Sequence, residues 1–570
     1  MNDISGTVYT LHNECQDCYK CVRRCPVKSI RIQDGHACVI SEKCISCGRC
    51  VAPCPSHAKR VRSDIEPVKK LLNSGKPVYV SLAPSWRASF PCTSKQIIAT
   101  LKKLGFAGVS ETAIGAQEVS IETARLLNKK ESGLMISSAC PVIVKYIRLY
   151  KPELADYIVP IASPALTHAK FLKKEFGQDI SVVFIGPCIA KKEESDTHKD
   201  LIEYALTFEE LKIWLKDLDR KIEEGDCLEE AFVPSIAYEG NLYPMDGGMN
   251  ETIKQVGVKE NVQLCQVCSL EAFDLAINSF TQEKIKNPIF MEALACAGGC
   301  VHGPCISTHT SDTNNISRIL RHIKYRNPIP QKPEVVVKEE YKAAPVEIKT
   351  YTMDEIREAL HRIGKYAPED ELNCAGCGYQ TCQDMAKALL NGDAEPSMCV
   401  SYMRKLATKK ADAMLKSIPS AMVILDKNLN IMEVNEAFIK MFIKENKEEY
   451  LSDPQKLAGY PVSDFFEAQK TFISALSSQK EVHKESHHFN NKLYDLHIFP
   501  IEEDVSIGVT ITDITNVHHS HEIVAQKAKE VIDKNISTVQ QIACLLGEHM
   551  VQTETILNTI ANEYNSEDEE

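Results

Sequence analysis

The sequence predicts a multidomain chain that combines α/β and α+β units. Its 570 residues are enough for three to five domains of ordinary size. From about residue 67 to 325, short apolar runs alternate with helix-like stretches, which is typical of α/β folds with parallel strands. Two other segments, residues 1–62 and 351–408, are short and rich in cysteine, so we expect small loop-rich units there.

Local patterns place the elements of this organisation. Residues 77–84 and 180–186 are short apolar runs and are predicted as buried strands, whereas residues 118–128 and 163–176 are predicted as helices. A stretch rich in Pro, Val, Lys and Glu follows and is predicted as a linker. The predicted boundaries are 1–62, 63–325, 326–350 for the linker, 351–408, 409–516 for a mixed α/β module and 517–570 for C-terminal helices.

The composition favours a soluble, cytoplasmic protein that binds metal. A formal net charge of −12 gives no indication of a nucleic-acid partner. We expect neither a secretory leader nor a membrane span, since no apolar run approaches the ~18 residues that a span needs. The 23 cysteines are then expected as reduced thiols. Thiolates at short, regular spacings select iron–sulfur clusters or zinc.

Two cysteine runs near the N-terminus share the spacing C-x2-C-x2-C-x3-C-P. This doubled pattern resembles that of bacterial two-cluster ferredoxins, in which the fourth cysteine of each run ligates the other cluster. A zinc site is the alternative, and this spacing disfavours it. Cys38 lies outside both runs and is predicted as a small buried hydrophobe. The resemblance implies two [4Fe–4S] ligand sets: Cys15, Cys18, Cys21, Cys54 and Cys25, Cys44, Cys47, Cys50.

Three motifs carry the chemistry of the central region, and two of them follow predicted strands. They are Ser-Ser-Ala-Cys-Pro at 137–141, Gly-Pro-Cys-Ile-Ala-Lys-Lys-Glu-Glu at 186–194 and Glu-Ala-Leu-Ala-Cys-Ala-Gly-Gly-Cys at 292–300. Residues just beyond strand ends lie where α/β folds bind ligands. The cysteines of these motifs could together bind one iron–sulfur cube, with a lysine as a nearby donor. These residues are Cys140, Cys188, Cys296, Cys300 and Lys191.

The three motifs resemble the signatures of iron–iron hydrogenases, TSCCPxW, MPCxxKxxE and ExMACxxGC, and the resemblance covers residues 1 to about 405. It implies an H-cluster, which is a four-iron cube joined to a diiron subcluster that carries carbon monoxide, cyanide and an azadithiolate. Carried over, Cys140, Cys188 and Cys296 would hold the cube, and Cys300 would bridge it to the diiron unit. Lys191 would donate a hydrogen bond to a cyanide, and Glu194 is retained from the second motif.

The chain also departs from the family pattern along the proton route. The usual donor cysteine of the first motif is Ala139 here, and alanine cannot carry a proton. Help from a positioned acid or base is typically worth 10²–10⁴-fold, so we expect slow turnover at a site that still binds hydrogen. Cys305 is either a substitute proton carrier or a structural thiol. Other positions also differ from the family. Ile143 replaces a tryptophan, Gly186 and Leu294 replace methionines, and residues 303–305 replace the sequence GGGQP. Thr123 and Val159 stand where the family's proton relay has a carboxylate and a hydroxyl.

Two further groups of cysteines lie outside the N-terminal runs and the three central motifs. Cys265 and Cys268 form an isolated C-x2-C, which is either an additional metal site or a pair of ordinary thiols. A second run, C-x2-C-x4-C-x16-C, resembles a small four-iron domain found beside redox enzymes, with a zinc ribbon as the alternative. The implied ligands of this third [4Fe–4S] cluster are Cys374, Cys377, Cys382 and Cys399.

Residues 409–516 resemble a PAS domain, a sensing and dimerisation module. The matching pieces include 418–426, 431–438 and 508–515. The segment contains no cysteine, which excludes a cysteine-linked flavin. Its histidines would either ligate haem or lie at the surface or in the core: His483, His487, His488 and His497.

The C-terminal tail carries a heptad-like apolar seam, which predicts either a coiled coil or an amphipathic helix packed on its own chain. The seam contains Ile532, Ile536, Val539, Ala543, Leu546, Met550, Thr553, Leu557 and Ile560. His521 has a phosphoacceptor-like context, but the 49 residues after it are too few for an ATP-binding domain.

Three functions remain open from the sequence. The leading hypothesis is a sensory iron–iron hydrogenase that exchanges electrons with a redox partner such as a ferredoxin and signals through the PAS domain. It implies H2 and protons as substrates, hydrogenase maturation proteins, a downstream signalling protein and a homodimer. The alternatives are an ordinary hydrogenase with an unusual proton route, and a cluster-assembly protein that has this fold without the diiron unit.

Overall fold

The computed structural model describes residues 6–218, 222, 230–280, 285–306, 312–335, 338–502 and 504–564. The chain divides into two compact units, Met1–Met403 and Arg404–Glu570. Within the described residues, no helix combines the length and the apolar character that crossing a bilayer requires.

The N-terminal segment of the first unit is built from short elements and long loops. Strands β1 and β4 pair antiparallel, as do β2 and β3. Tyr19 and Ser46, within the two cysteine runs, have positive φ angles of 55° and 55°, so the backbone curls tightly around the cysteines. The elements are β1 Val8–Thr10, α1 Lys20–Arg24, β2 Ile30–Gln33, β3 His36–Val39 and β4 Lys59–Val61.

Two parallel sheets form the central region, which confirms the expected α/β construction. The strands are β5 Val78–Leu82, β6 Gly108–Glu111, β7 Gly133–Ile136, β8 Ser181–Gly186, β9 Tyr204–Thr207, β10 Gln263–Cys268 and β11 Pro288–Leu294. One sheet has the order β6-β5-β8-β9 and the other the order β10-β11-β7. All residues of β8 and β11 are buried, as expected for strands covered on both faces.

Helices connect and cover these strands. They are α2 Ile65–Leu72, α3 Trp86–Ser89, α4 Ser94–Lys103, α5 Ala113–Lys129, α6 Pro141–Tyr150, α7 Pro164–Phe176, α8 Ala190–Thr197, α9 Phe208–Asp217, α10 Gly248–Val256, α11 Leu270–Phe280 and α12 Asp312–Leu320. The residues at the helix ends explain where some of these helices begin. Ser163 caps α7 by accepting from the Leu166 backbone N–H, and Pro164 occupies the first turn, where its missing N–H is tolerated.

The predicted linker is more tightly held than its composition suggests. It contains no helix among its described residues, and a single bridge joins Lys338 to Ile161. Its backbone nevertheless bonds to the central region, with Ala344 N donating to the Arg148 carbonyl at 2.9 Å. The Tyr341 hydroxyl donates to the Ile161 carbonyl at 3.0 Å. Main-chain pairing thus fixes a segment that has little apolar content.

The second cysteine-rich unit contains α13 Met353–Arg362 and α14 Cys382–Asn391, and α15 Val400–Ser417 follows it. Capping boxes start α13 and α14 at Thr352 and Thr381. Ile356, Leu360, Met385 and Met398 share one apolar core with the N-terminal segment. The second cysteine-rich unit therefore packs on the first.

The second compact unit contains an antiparallel five-stranded sheet of order β13-β12-β16-β15-β14. Its elements are β12 Ala421–Asp426, β13 Ile431–Val434, α16 Glu436–Phe442, α17 Lys447–Ser452, α18 Gln469–Ser478, β14 Val482–Phe489, β15 Lys492–Glu502 and β16 Ser506–Asp513. The chain then forms one long helix, α19 Thr515–Tyr564. Ile532, Ile536 and Val539 of its seam are each more than half exposed. The side chains of His521, Ala543, Leu546 and Ile560 lie outside the described residues.

Candidate functional site

The four central cysteines line one mostly apolar cavity together with Lys191. Cys140 directly precedes α6, Cys188 lies between β8 and α8, and Cys296 and Cys300 follow β11. The carboxyl ends of strands from both sheets therefore supply the cavity. The structure thus places the four cysteines and the lysine of the three motifs around one cavity.

A glycine pair shapes the turn between Cys296 and Cys300. Gly298 and Gly299 have φ angles of 75° and 93°, which side chains rarely adopt. A Cβ on Gly299 would lie 2.4 Å from the Pro244 carbonyl oxygen, so a side chain cannot be accommodated. This close backbone approach returns the chain to the cavity, so that Cys300 lines it.

Burial makes the thiolate form of three cavity cysteines, Cys188, Cys296 and Cys300, unfavourable. Burial raises the pKa of Cys188 to about 11, and the neighbouring Cys140 thiol adds to this shift. Burial and the other cysteines also raise the pKa values of Cys296 and Cys300. Bound iron would neutralise such a cluster of sulfurs, and soft thiolates are suited to iron–sulfur groups.

Lys191 is fixed on the cavity wall by two oxygen acceptors. Its Nζ donates to Glu194 Oε2 at 2.6 Å and to Ser163 Oγ at 2.8 Å. Ser163 Oγ also donates to Glu194 Oε2 at 3.0 Å. Glu194 borders a second cavity, whose lining includes Lys145 and His198. The pair therefore lies between the thiol cavity and a more polar space.

A buried hydroxyl without a partner provides an independent test of whether the cavity suits a polar cofactor. Ser85 Oγ lines the cavity and makes no hydrogen bond to the described residues. Ser85 is 1% exposed, so leaving its hydroxyl unpaired is costly. A group with small hydrogen-bond acceptors, such as diatomic ligands on iron, would satisfy it. Together with four thiols and Lys191, this donor set fits the group that the motifs imply.

The residues at three departures from the family pattern lie in an apolar or self-bonded setting. Ala139 lines the cavity and contacts an apolar cluster that contains Val159. Thr123 is buried, and its hydroxyl donates to the Val119 carbonyl of its own helix at 2.7 Å. These three positions therefore offer no hydrogen-bonded path from the cavity.

Sequence reasoning missed Glu292, which also lines the cavity. Its carboxylate accepts from the backbone N–H groups of Asn250 at 2.9 Å and Met249 at 3.3 Å. Burial raises the pKa of Glu292 to about 7, and Asp246 adds to the shift. A carboxyl group with this pKa can exchange a proton near neutral pH. Its place at the start of the third motif was the only sequence signal.

The remaining central cysteines separate into different environments. On strand β10, Cys265 donates to the Phe290 carbonyl at 3.4 Å, whereas the Cys268 thiol interacts with Asp246. Residues three apart on a strand point to opposite faces, so this C-x2-C does not converge on one metal ion. Cys305 is 5% exposed and packs with Val8 and Ile189. Burial raises its pKa to about 12, which favours the structural alternative for this thiol.

Several of the peripheral cysteines are close to one another in the fold. Cys374, Cys377, Cys382 and Cys399 line one small cavity. Within the N-terminal segment, Cys47 interacts electrostatically with Cys25 and Cys44, and Cys21 with Cys15 and Cys18. The prediction for Cys38 was wrong in part, because this residue is only half-buried and its Sγ lies 3.5 Å from His12 Nε2.

The four histidines considered as haem ligands lie on strands β14 and β15 of the second compact unit, largely at the surface. His483 Nε2 is 2.8 Å from Asp495 Oδ1, and His487 Nε2 lies 2.7 Å from the Glu467 carbonyl. His488 and His497 are exposed. This distribution favours surface histidines over haem ligands.

Comparisons with known proteins agree with this organisation. Residues 76–304 match the family model "Iron only hydrogenase large subunit, C-terminal domain". Residues 7–55 match a 4Fe-4S dicluster domain, 370–401 an Fe-S cluster family and 419–516 a PAS domain. The resemblances and the fold class predicted from the motifs are therefore confirmed: the chain combines hydrogenase, iron–sulfur and PAS domains.

Curated relatives are similar over part of their length. Iron hydrogenase 1 of Clostridium pasteurianum is 26% identical over 330 residues, which is 46% of this chain and 56% of that protein. The periplasmic [Fe] hydrogenase large subunit of Nitratidesulfovibrio vulgaris is 26% identical over 306 residues, which is 42% of this chain and 72% of that protein. The chain thus spans little more than half the length of the first relative.

Two of the solved structures that are similar to parts of this chain have low TM-scores. A variant of the [FeFe]-hydrogenase HydA1 from Chlamydomonas reinhardtii has 17% identity and a TM-score of 0.39, and it covers 50% of this chain and 100% of its own. The PAS domain of an HTR-like protein from Haloarcula marismortui has 18% identity and a TM-score of 0.16, and it covers 20% of this chain and 97% of its own.

Proposed function

We propose that this chain is a sensory [FeFe]-hydrogenase that binds hydrogen, turns it over slowly and reports the result through its PAS domain. The main support for the proposal is that one cavity has the residues to hold the cofactor but lacks the usual proton donor. Four cysteines and Lys191 line it, but the position of the usual proton donor is Ala139 in an apolar setting. Such a site is better suited to detecting hydrogen than to processing it.

The proposed ligands are those that the motifs imply. Cys140, Cys188 and Cys296 would hold the cube, and Cys300 would supply the thiolate next to the diiron subcluster. The bound H-cluster supplies the chemistry that splits and forms H2, while the protein supplies placement and electrostatics. Lys191, held by Glu194 and Ser163, would donate a hydrogen bond to a cyanide ligand, and the unpaired Ser85 hydroxyl would be available to another ligand.

Proton delivery is the step that we propose to be slow. Glu194 is engaged with Lys191 and Ser163 and has no donor at residue 139 to serve. Glu292, with a pKa of about 7, provides an alternative carrier on another wall of the cavity. This residue also supports the second candidate function, an ordinary hydrogenase with an unusual proton route.

Three [4Fe–4S] clusters are proposed to carry electrons away from the cavity to a redox partner such as a ferredoxin. Their ligands are the two N-terminal sets and Cys374, Cys377, Cys382 and Cys399. The abundance of free thiols among the described cysteines supports a cytoplasmic protein. Maturation proteins would be needed to install the diiron unit.

The signalling output is proposed to involve a homodimer and a downstream signalling protein. Helix α19 contains 50 residues, and an isolated helix of this kind gains stability when its apolar seam is covered. Ile532, Ile536 and Val539 are exposed within one chain. A second copy of α19 can cover them, which would place two PAS modules in one assembly.

Infrared spectroscopy tests the proposal most directly. The full chain would be co-expressed with maturation proteins and purified without oxygen, and its iron content would be measured. Carbon monoxide and cyanide bands are expected, together with iron for the cube and three further clusters. A full iron load without these bands would favour the cluster-assembly alternative. Normal enzyme turnover, about 1–10³ s⁻¹ or above, would favour the ordinary hydrogenase.

A test of sensing uses the same preparation. Hydrogen is expected to reduce the clusters and to change either the PAS domain, followed by hydrogen exchange, or the capture of a signalling partner. Cys300→Ala, which removes the proposed bridging ligand, is the control and should abolish the response. The sensing proposal fails if hydrogen reduces the clusters but changes neither readout.

A further inference from the structure

The second cysteine-rich unit rests directly on the first cysteine run of the chain. Gly378 has a φ of 98°, and a Cβ there would lie 3.2 Å from the Arg23 backbone nitrogen and 3.3 Å from the Val22 carbonyl carbon, so the two backbones approach closely. The Arg23 guanidinium donates to the Gly376 carbonyl at 3.1 Å and to the Cys18 carbonyl at 2.9 Å. One side chain therefore connects a loop of the third cysteine set to a loop of the first run.

Lys28 lies beside this contact and lines one cavity together with Cys25 and with Gln380 of the loop that carries the third cysteine set. It is partly buried, and its Nζ donates to the Val22 carbonyl at 3.1 Å. Its charge interacts with the thiols of both Cys25 and Cys377. The buried phenol of Tyr379 also interacts with these two thiols. Cys25 and Cys377, which belong to different proposed clusters, therefore share the same neighbouring side chains.

The cluster set that contains Cys25 also neighbours the cavity of the four central cysteines, since Cys25 and Cys47 line a further cavity together with Cys188 and Cys296. Cys47 interacts with Cys25 and Cys44, and Cys296 of the cavity interacts with Cys47. Cys21, in contrast, interacts with Cys15 and Cys18 of its own set. The set formed by Cys25, Cys44, Cys47 and Cys50 thus has the cavity as one neighbour and the third cysteine set as another.

We propose that Lys28 is a positioning residue that couples the cluster at Cys25, Cys44, Cys47 and Cys50 to the cluster at Cys374, Cys377, Cys382 and Cys399. This inference rests on the proposed clusters. Oxidation of one H2 releases two protons to solvent and two electrons, and each of these two clusters accepts one electron. The third cluster is then reached from the cavity without passing through the cluster at Cys15.

The charge of Lys28 gives this coupling a physical basis. Each cluster gains one negative charge on reduction, and a positive charge between two clusters stabilises the reduced form of both. Removing that charge should therefore disfavour reduction at both sites. A lysine that served only to join the two units would not change the two electron affinities together.

The test compares Lys28→Met with Lys387→Met in the full, cluster-loaded chain. Lys387 is half-exposed on α14 of the same unit and pairs with Asp384 at 4.0 Å; Asp384 also interacts with Lys28. Electron paramagnetic resonance during a redox titration measures each cluster. For Lys28→Met, we expect the ratio of reduced to oxidised cluster at fixed potential to fall about tenfold at both sites. Lys387→Met and Lys28→Arg should remain close to the unchanged protein.

The outcomes separate this inference from the function on which it rests. If iron analysis shows that the third cluster is absent from the unchanged protein, the proposed cluster set fails first. If all clusters are present and Lys28→Met shifts neither or only one of the two, the coupling inference is wrong. An equal shift in Lys387→Met would also overturn it, because the effect would then be general electrostatics. Unchanged iron content in Lys28→Met confirms that the variant folds and loads.

Discussion

Replacing Ala139 by cysteine should place a proton donor at the cavity that the four central cysteines line. Ala139 lines this cavity, so the added sulfur can enter open space and should cost at most about 1–3 kcal/mol of overpacking. A positioned acid is worth roughly 10²–10⁴-fold, and each tenfold step is about 1.36 kcal/mol of barrier. Val159 and the self-bonded Thr123 leave the next transfers unimproved. We therefore expect the lower end of this range, about 10²-fold.

The assay is hydrogen evolution with a reduced viologen dye, normalised to the intensity of the infrared bands so that only loaded protein is compared. Ala139→Ser is the matched control, because a hydroxyl has similar size but is a much weaker acid than a thiol. It should accelerate the reaction by less than about threefold, far below the gain from a positioned acid. If Ala139→Cys carries a complete cofactor and gains no more than the serine variant, a missing donor is not what limits turnover.

Three other predictions address the remaining parts of the proposal. Glu292→Gln should slow hydrogen evolution. Because Glu292 has a pKa of about 7, it is protonated and can donate below that pH, so the wild-type rate should fall as the pH rises through 7. The variant should not show this fall, and a pH profile identical to that of the wild type would exclude Glu292 as the proton carrier. Lys191→Met should lose the infrared bands and retain the cube, because the ammonium that Glu194 and Ser163 hold is the proposed hydrogen-bond donor to the diiron unit. Intact bands would contradict this proposed role. Ile536→Glu should convert a dimer into monomers, measured by light scattering, because it places a charge in the apolar seam of α19. Lys534→Glu, which lies outside the seam, should leave the dimer intact. A wild-type protein that is monomeric would refute the proposed dimer.

Much of the fold could be predicted because its signals are local. The apolar runs at 77–84 and 180–186 became β5 Val78–Leu82 and β8 Ser181–Gly186, since a short β-branched run between turn residues has few other stable conformations. The helices predicted at 118–128 and 163–176 are present as α5 and α7, and α5 begins five residues earlier, at Ala113. Boundaries of this kind depend on packing that the sequence does not display.

The sequence predicts those site residues that are identified by motif spacing. It does not predict a residue whose chemistry depends on its burial in the folded chain. Cys140, Cys188 and Cys300 were found from short motifs that require particular turns. Glu292 was overlooked as a chemical group because its raised pKa arises from burial beside Asp246, which only the folded chain creates. The pair Cys265 and Cys268 failed in the opposite way: the spacing suggests a chelate, but a strand directs the two thiols apart.

The two sheets of the central region have a consequence for how the protein is made. Cys188 follows a strand of one sheet, whereas Cys140, Cys296 and Cys300 follow strands of the other. A cube held by these thiols would act as a cross-link between distant parts of the chain, and closing long loops removes entropy from the unfolded ensemble. Cofactor loading and folding are then linked reactions. Cells short of iron should accumulate a form of this protein that proteases cut between the sheets, so its abundance would follow iron supply even when its synthesis does not change.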